Sequence, residues 1–239
     1  MTDRTPVQPS GAPGYHELMR ALLLATLLAA TASAEVCGGN DLAGAYGFQL
    51  SGSTSIAGLP KSMAAIGRVV FQSGGHIDGY SSVNFGGLFL GNPVTGSYTF
   101  KTDCSLTFDL QDDSGAWQHF RGALQPGGAR ASFHQTDPGT GGRGILERTP
   151  DTCSAASFRG KFAVTIGSQK TVTAADGNGN LSWTGGDATN SGTYTVDSDC
   201  FVQLSFGVQL RGVLVNGGRT VLAVQTDPGK VSTATFNAQ

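Results

Sequence analysis

From residue 43 onward, apolar and polar side chains alternate with a period of two, in runs of seven to ten residues. That is the signature of strands with one dry face. Tyr46, Phe48 and Leu50 share a face, as do Cys104, Leu106, Phe108 and Leu110, while Ser105, Thr107 and Asp109 occupy the opposite side. Eight such segments fall near residues 43–51, 64–72, 76–85, 95–102, 103–111, 116–124, 129–136 and 142–148. Ser-Gly-Gly, Asn-Pro, Asp-Asp-Ser-Gly, Pro-Gly-Gly and Asp-Pro-Gly separate them, and residues 51–62 and 111–115 read as polar loops. Short antiparallel strands with tight turns predict an up-and-down barrel, because closure removes the exposed edges. A two-sheet β-sandwich is the alternative. No stretch after residue 35 has a helical period.

The pattern then repeats. Cys37 answers to Cys153 and Tyr46 to Phe162 at an offset of 116, and Gly96-Ser97-Tyr98-Thr99-Phe100 answers to Gly192-Thr193-Tyr194-Thr195-Val196 at 96. Arg121-Gly122-Ala123-Leu124 answers to Arg211-Gly212-Val213-Leu214 at 90, and Gln135-Thr136-Asp137-Pro138-Gly139 recurs unchanged at 225–229. The falling offset means the second copy has lost loop residues while keeping its strands, which a shared β framework tolerates. The chain therefore reads as residues 1–34, a first β-barrel module at 35–149 and a shortened second module at 150–239.

Residues 21–30 are the sole sustained apolar run; Arg20 precedes it and Ala32-Ser33-Ala34 follows. The run is too short to span a bilayer and fits a secretory signal peptide cleaved after Ala34. Translation starting at Met1 or at Met19 is compatible with it. Cys37 lacks the small residue before it that lipidation needs. Four cysteines in an exported chain argue for disulfides, and a unit that folds as a repeat should close its own: Cys37 with Cys104 and Cys153 with Cys200.

Only 13% of residues are charged, Gly accounts for 36 of 239, and the net charge is −2. No basic stripe suggests nucleic acid or an anionic membrane as partner. The chain has no C-x-x-C, P-loop, H-E-x-x-H or Gly-x-Ser-x-Gly, so neither a cofactor nor a metal is implied. The Gly-Thr-Tyr-Thr-Val…Asp-Cys strand and the Gln-Thr-Asp-Pro-Gly turn resemble those of uncharacterised secreted bacterial proteins. Those in turn look like small barrels of the calycin or allene-oxide-cyclase type. The shared motifs are turns, core positions and cysteines, so the resemblance implies a fold and no catalytic residue.

Candidate chemistry is confined to the first copy. His76 and Asp78 lie two apart on one strand face, where an acid–base or metal pair is conceivable, as is an ordinary solvated face. His134 is a further candidate. Copy two places Asn180, Gln209 and Val224 where copy one has His76, His119 and His134. Trp117, His119 and Arg121 alternate on an outward face and could meet a glycan or a protein. Tyr46 and Tyr98 could line a pocket inside the barrel. Asp176-Gly177-Asn178-Gly179-Asn180 is hairpin chemistry and lacks the later ligands of a calcium loop.

These features lead to a secreted, non-catalytic binding or structural protein, with a small apolar or aromatic ligand in the first module. A cofactor-independent cyclase or isomerase in that barrel, using His76 or His134, is the enzymatic alternative. A cell-surface spacer or adhesin is the third. The oligomeric state is open at this level.

Overall fold

The computed structural model describes residues 36–56, 58–185 and 188–239. The apolar run at 21–30 and the expected cleavage after Ala34 lie outside these residues. Within them, two eight-stranded antiparallel sheets each close on themselves. The first barrel comprises β1 (Gly44–Ile56), β2 (Leu59–Gln72), β3 (His76–Phe85), β4 (Leu88–Phe100), β5 (Ser105–Asp112), β6 (Trp117–Leu124), β7 (Arg130–Gln135) and β8 (Arg143–Arg148). The second comprises β9 (Arg159–Ile166), β10 (Gln169–Asp176), β11 (Asn180–Gly185), β12 (Ala188–Val196), β13 (Phe201–Ser205), β14 (Gln209–Val215), β15 (Thr220–Gln225) and β16 (Thr233–Ala238). Each strand pairs with the next, and β8 and β16 return to β1 and β9. Because both sheets close, the fold is a pair of barrels and not a sandwich.

The alternation in the sequence becomes inside and outside. Tyr46, Phe48 and Leu50 point inward opposite Val69, Gly67 and Ala65 of β2, and the inner set continues through Phe108, Phe120, Phe133 and Leu146. Gly67 and Gly144 are glycines for want of space: a Cβ would lie 2.3 Å from the Phe48 and Phe133 rings respectively.

Two expectations are corrected. Of residues 51–62, read as a loop, 51–56 and 59–62 are the paired ends of β1 and β2, and Asn92-Pro93, read as a separator, sits inside β4. Both lie in hairpins that extend toward one rim, where water reaches much of both faces. A ribbon wet on both sides loses the one-sided pattern that marks a strand.

Register also resolves the missing residues of copy two. Gly44 pairs with Phe71 and Gly160 with Ala175, so the offset falls from 116 to 104 across the first hairpin. Ile77 pairs with Gly96 and Leu181 with Gly192, so it falls from 104 to 96 across the second. Twelve residues are lost from the β1–β2 hairpin, eight from β3–β4 and six more from β5–β6. In an up-and-down barrel these turns share one end, so the first barrel has an extended rim that the second lacks.

The opposite ends are fastened alike. Disulfides Cys37–Cys104 and Cys153–Cys200 bind the segment before each first strand to the turn after each fourth. Cys104 and Cys200 share a left-handed backbone (φ 65° and 68°), unusual for a residue with a side chain. In the first barrel the Tyr46 hydroxyl donates to the Gly128 carbonyl at 2.7 Å, and the Arg148 guanidinium donates to the carbonyls of Asp41, Ala43 and Gly128 while lying over the Tyr46 ring. Burial pushes that hydroxyl's pKa up to about 12, against the opposing pull of Arg148. In the second barrel Tyr194 donates to Ala155 and Phe158 across a single 3₁₀ turn, Ala155–Ser157.

The barrels also share a joint that the repeat alone does not reveal. Val213 and Val215 of β14 meet Gly47 of β1 so closely that a Cβ there would sit 2.5 Å from Val215. Ile66 and Ala64 of β2 are buried in the same apolar cluster. The Gln49 amide donates to the Ala223 and Ala234 carbonyls at 2.7 and 2.9 Å, and Asn84 donates to the Gln225 and Lys230 carbonyls.

Disulfide mapping of the purified protein is expected to return only Cys37–Cys104 and Cys153–Cys200. The double substitution C153A/C200A opens a loop with a sequence separation of 47; chain entropy sets its cost at about 4 kcal/mol, measurable by denaturant unfolding.

Candidate functional site

The first barrel encloses a cavity of about 190 Å³ that opens toward the extended rim. Its walls are aromatic and aliphatic. Phe108 and Phe120 stack with ring centroids 4.7 Å apart, Phe133 meets both edge-on, and Phe48, Val69 and Val94 complete the interior. Such T-shaped and offset contacts hold rings in fixed orientations and keep the wall preformed.

A comparison of matched positions explains why there is space. Register equates Gly79 of β3, which faces Val69 and Val94, with Trp183 of β11, which faces Thr173 and Asn190. In the second barrel Trp183 packs edge-on against Phe206, which continues through Phe236 to Phe158. Leu110, Leu146 and Leu42 stand in the first barrel where the second has Phe206, Phe236 and Phe158. At Gly79 the backbone is so close that a Cβ would lie 2.2 Å from the Arg68 carbonyl oxygen, so a side chain cannot simply be restored there.

Polar groups gather toward the mouth. Ser81 and Asn92 are cross-strand neighbours on the inner face, and Gln118 of β6 reaches the cavity from the far wall. Asn92 and Gln118 make no side-chain hydrogen bond to any described residue, so their amides are available to a guest. Asp112 is occupied: its Oδ1 accepts from the Ser114 and Ala116 backbone N–H groups and from the Ser114 hydroxyl at 2.6 Å, shaping the β5–β6 turn. Leu88 and Leu90 stand on the inner side of the rim hairpin, 61% and 44% exposed. The mouth is thus an apolar lip with neutral amides and the Asp112 carboxylate below it.

The residues singled out from sequence lie elsewhere. Tyr46 and Tyr98 point into the barrel at its fastened end, away from the cavity, and Tyr98 donates to the Gln72 carbonyl at 2.7 Å. His76 and Asp78 do meet, Nε2 to Oδ1 at 3.1 Å, on the exposed outer face. No group of three metal-ligating side chains occurs among the described residues. Trp117, His119 and Arg121 share the outer face of β6 and His134 the outer face of β7. His119 Nδ1 lies 2.7 Å from the Asp137 carboxylate, whose other oxygen accepts from the His119 backbone and from Gln135. The second barrel repeats the latch with Gln209, Gln225 and Asp227. This explains the recurring turn: its Asp ties the seventh strand's exit to the sixth strand's start. Sequence reading passed over Asn92, Gln118 and Ser81 because an isolated amide or hydroxyl carries no motif. The hairpin deletions were the one signal pointing to this rim.

No protein-family model matches the chain, and no curated protein is detectably similar to it. Among solved structures, a de novo designed fluorescence-activating β-barrel aligns at 14% identity over 45% of this chain and 93% of its own, with a TM-score of 0.35. EF1p2_mFAP2b bound to DFHBI aligns at 14% identity over 46% and 95%, with a TM-score of 0.34. A protein named for AttH, from Nitrosomonas europaea, aligns at 8% over 98% and 99%, with a TM-score of 0.26. At these scores the likenesses say nothing of what this chain binds or does. Of the expected calycin-type resemblance, the structure shows two closed eight-stranded barrels.

The hydrogen bond to Asp137 raises the His119 pKa above its ordinary value. A raised value means the contact stabilises the fold at low pH and fades as pH climbs through the folded-state value. The pair is exposed, so the effect on stability is small. Asp137→Asn is expected to move the His119 titration midpoint, followed by NMR, down toward that of an ordinary histidine; an unchanged midpoint would contradict the assignment.

Proposed function

We propose that the protein is a secreted, non-catalytic binding protein whose first barrel takes a small, neutral, ring-bearing apolar molecule, while the second barrel serves as its structural partner. The observation that carries this reading is the contrast between repeats: one barrel has a phenylalanine-walled cavity beneath an extended rim, and the other has Trp183 and Phe206 in the equivalent space. Two disulfides suit an oxidising, extracellular-type compartment. The apolar run at 21–30 supports export.

Size and polarity narrow the guest. An apolar cavity of roughly 150 Å³ holds benzene, whereas drug-sized ligands need roughly 300 Å³ or more. At about 190 Å³ the site fits one substituted ring, with any longer substituent leaving through the mouth. Asn92 and Gln118 offer amide donors and acceptors but no charge, so a hydroxyl or carbonyl suits them, and the Asp112 carboxylate beside them disfavours an anionic guest. The histidines named for the enzymatic alternative, His76 and His134, both lie on outer faces.

Phenol and toluene serve as probes. A seven-heavy-atom ligand at about −0.7 to −0.9 kcal/mol per atom gives a Kd of about 20 to 300 µM, accessible to calorimetry. Ala65→Phe, which fills the cavity, is expected to abolish both affinities with cooperative unfolding retained. Asn92→Leu is expected to weaken phenol by about tenfold, or 1.4 kcal/mol, and to leave toluene unchanged. Binding that survives Ala65→Phe would place the ligand elsewhere, and no binding of either probe would end this reading.

A further inference from the structure

The joint between the barrels is heterologous: it pairs the outer face of β1–β2 with the outer face of β14–β15, which are different parts of the repeat. Each barrel carries a version of both faces. One of each kind is therefore left over, β6–β7 on the first barrel and β9–β10 on the second. A contact between unlike faces propagates from copy to copy unless something stops it.

Register shows what stands at the leftover positions. Val213, Val215, Leu222 and Val224, all fully buried, correspond to Ala123, Gln125, Ser132 and His134, all exposed. Thr220 corresponds to Arg130. On the other side, buried Ile66 corresponds to exposed Lys170, and Gln49, whose amide reaches two carbonyls of the second barrel, corresponds to Thr165, which is too short to do so. The hairpin holding Asn84, which straps the joint near its rim, is eight residues shorter in the second copy.

Both leftover faces are also basic. Arg143, where the joint has Thr233, and Arg121, which corresponds to Arg211 of the joint, flank His134 as consecutive cross-strand neighbours, and neither arginine is in an ion pair with a described residue. Lys161 and Lys170 flank the β9–β10 face, likewise unpaired there. Bringing the two faces together would oppose like charges across a surface with little apolar area to offset them.

We infer that the barrel–barrel joint is a self-recognition surface whose partner is another repeat of this chain, and that its two unused copies are blocked by charge, so that assembly stops at two barrels. Two variants test this. One restores the first-barrel face (A123V/Q125V/R130T/S132L/H134V), and the other restores the second-barrel face (A163G/T165Q/K170I). By sedimentation velocity the native chain and each variant alone are expected to be monomeric, and an equimolar mixture to form a one-to-one complex. Because added apolar surface could compromise folding, K161E/K170E, which keeps the basic first-barrel face, is studied alone, and a salt-sensitive self-association is expected. Self-association of the native chain, aggregation of either restored variant alone, or the absence of both the mixed complex and the K161E/K170E association would overturn the inference.

Discussion

Closing a sheet of eight strands forces every second side chain into one shared interior, and the sum of those side chains decides whether the barrel is solid or hollow. Both repeats obey this constraint with the same registers and different volumes. In the second, Trp183, Phe206, Phe236 and Phe158 form a continuous line of ring contacts along the interior. In the first, the aromatic residues move to the walls as Phe48, Phe108, Phe120 and Phe133, and Gly79 occupies the tryptophan's place. Phenylalanine is plentiful in both, so aromatic content does not distinguish them; its placement does.

A second asymmetry runs along each barrel. One end is fixed by a disulfide, a buried tyrosine hydroxyl on backbone carbonyls and, in the first barrel, the Arg148 guanidinium. Those bonds satisfy carbonyls that would otherwise face the interior unpaired. The other end is free to vary, and the two copies differ there by three hairpins. Divergence of the two copies is thus concentrated at one rim, while the fastened end maintains the fold.

Much of this was legible in the chain. The period-two pattern placed Tyr46, Phe48, Leu50 and Phe108 inside, and the repeat correctly paired each cysteine within its own module. What escaped had physical causes. The extended ends of β1, β2 and β4 carry Ser, Thr, Gly and Pro because water reaches both faces, so they read as loops. The joint escaped because strands β14 and β15 are buried on both faces: Leu214 and Val221 serve the interior while Val213 and Leu222 serve the neighbour. A continuous apolar run of that kind looks like any core strand. The cavity's amides escaped because Asn92 and Gln118 gain meaning only when register sets them around the same opening. The histidines drew attention through their chemistry, yet alternation had already assigned His119 to the face opposite Phe120, and the structure puts His134 opposite Phe133 in the same way.

Methyl-resolved NMR during titration with toluene tests most directly whether the first barrel alone is the receptive one. The account predicts saturable shifts at Ala65, Val69, Val83 and Val94, with the methyls of Val164, Leu181, Leu204 and Val221 in the second barrel unmoved. Shifts centred on the second set, or none in the first at millimolar toluene, would contradict it.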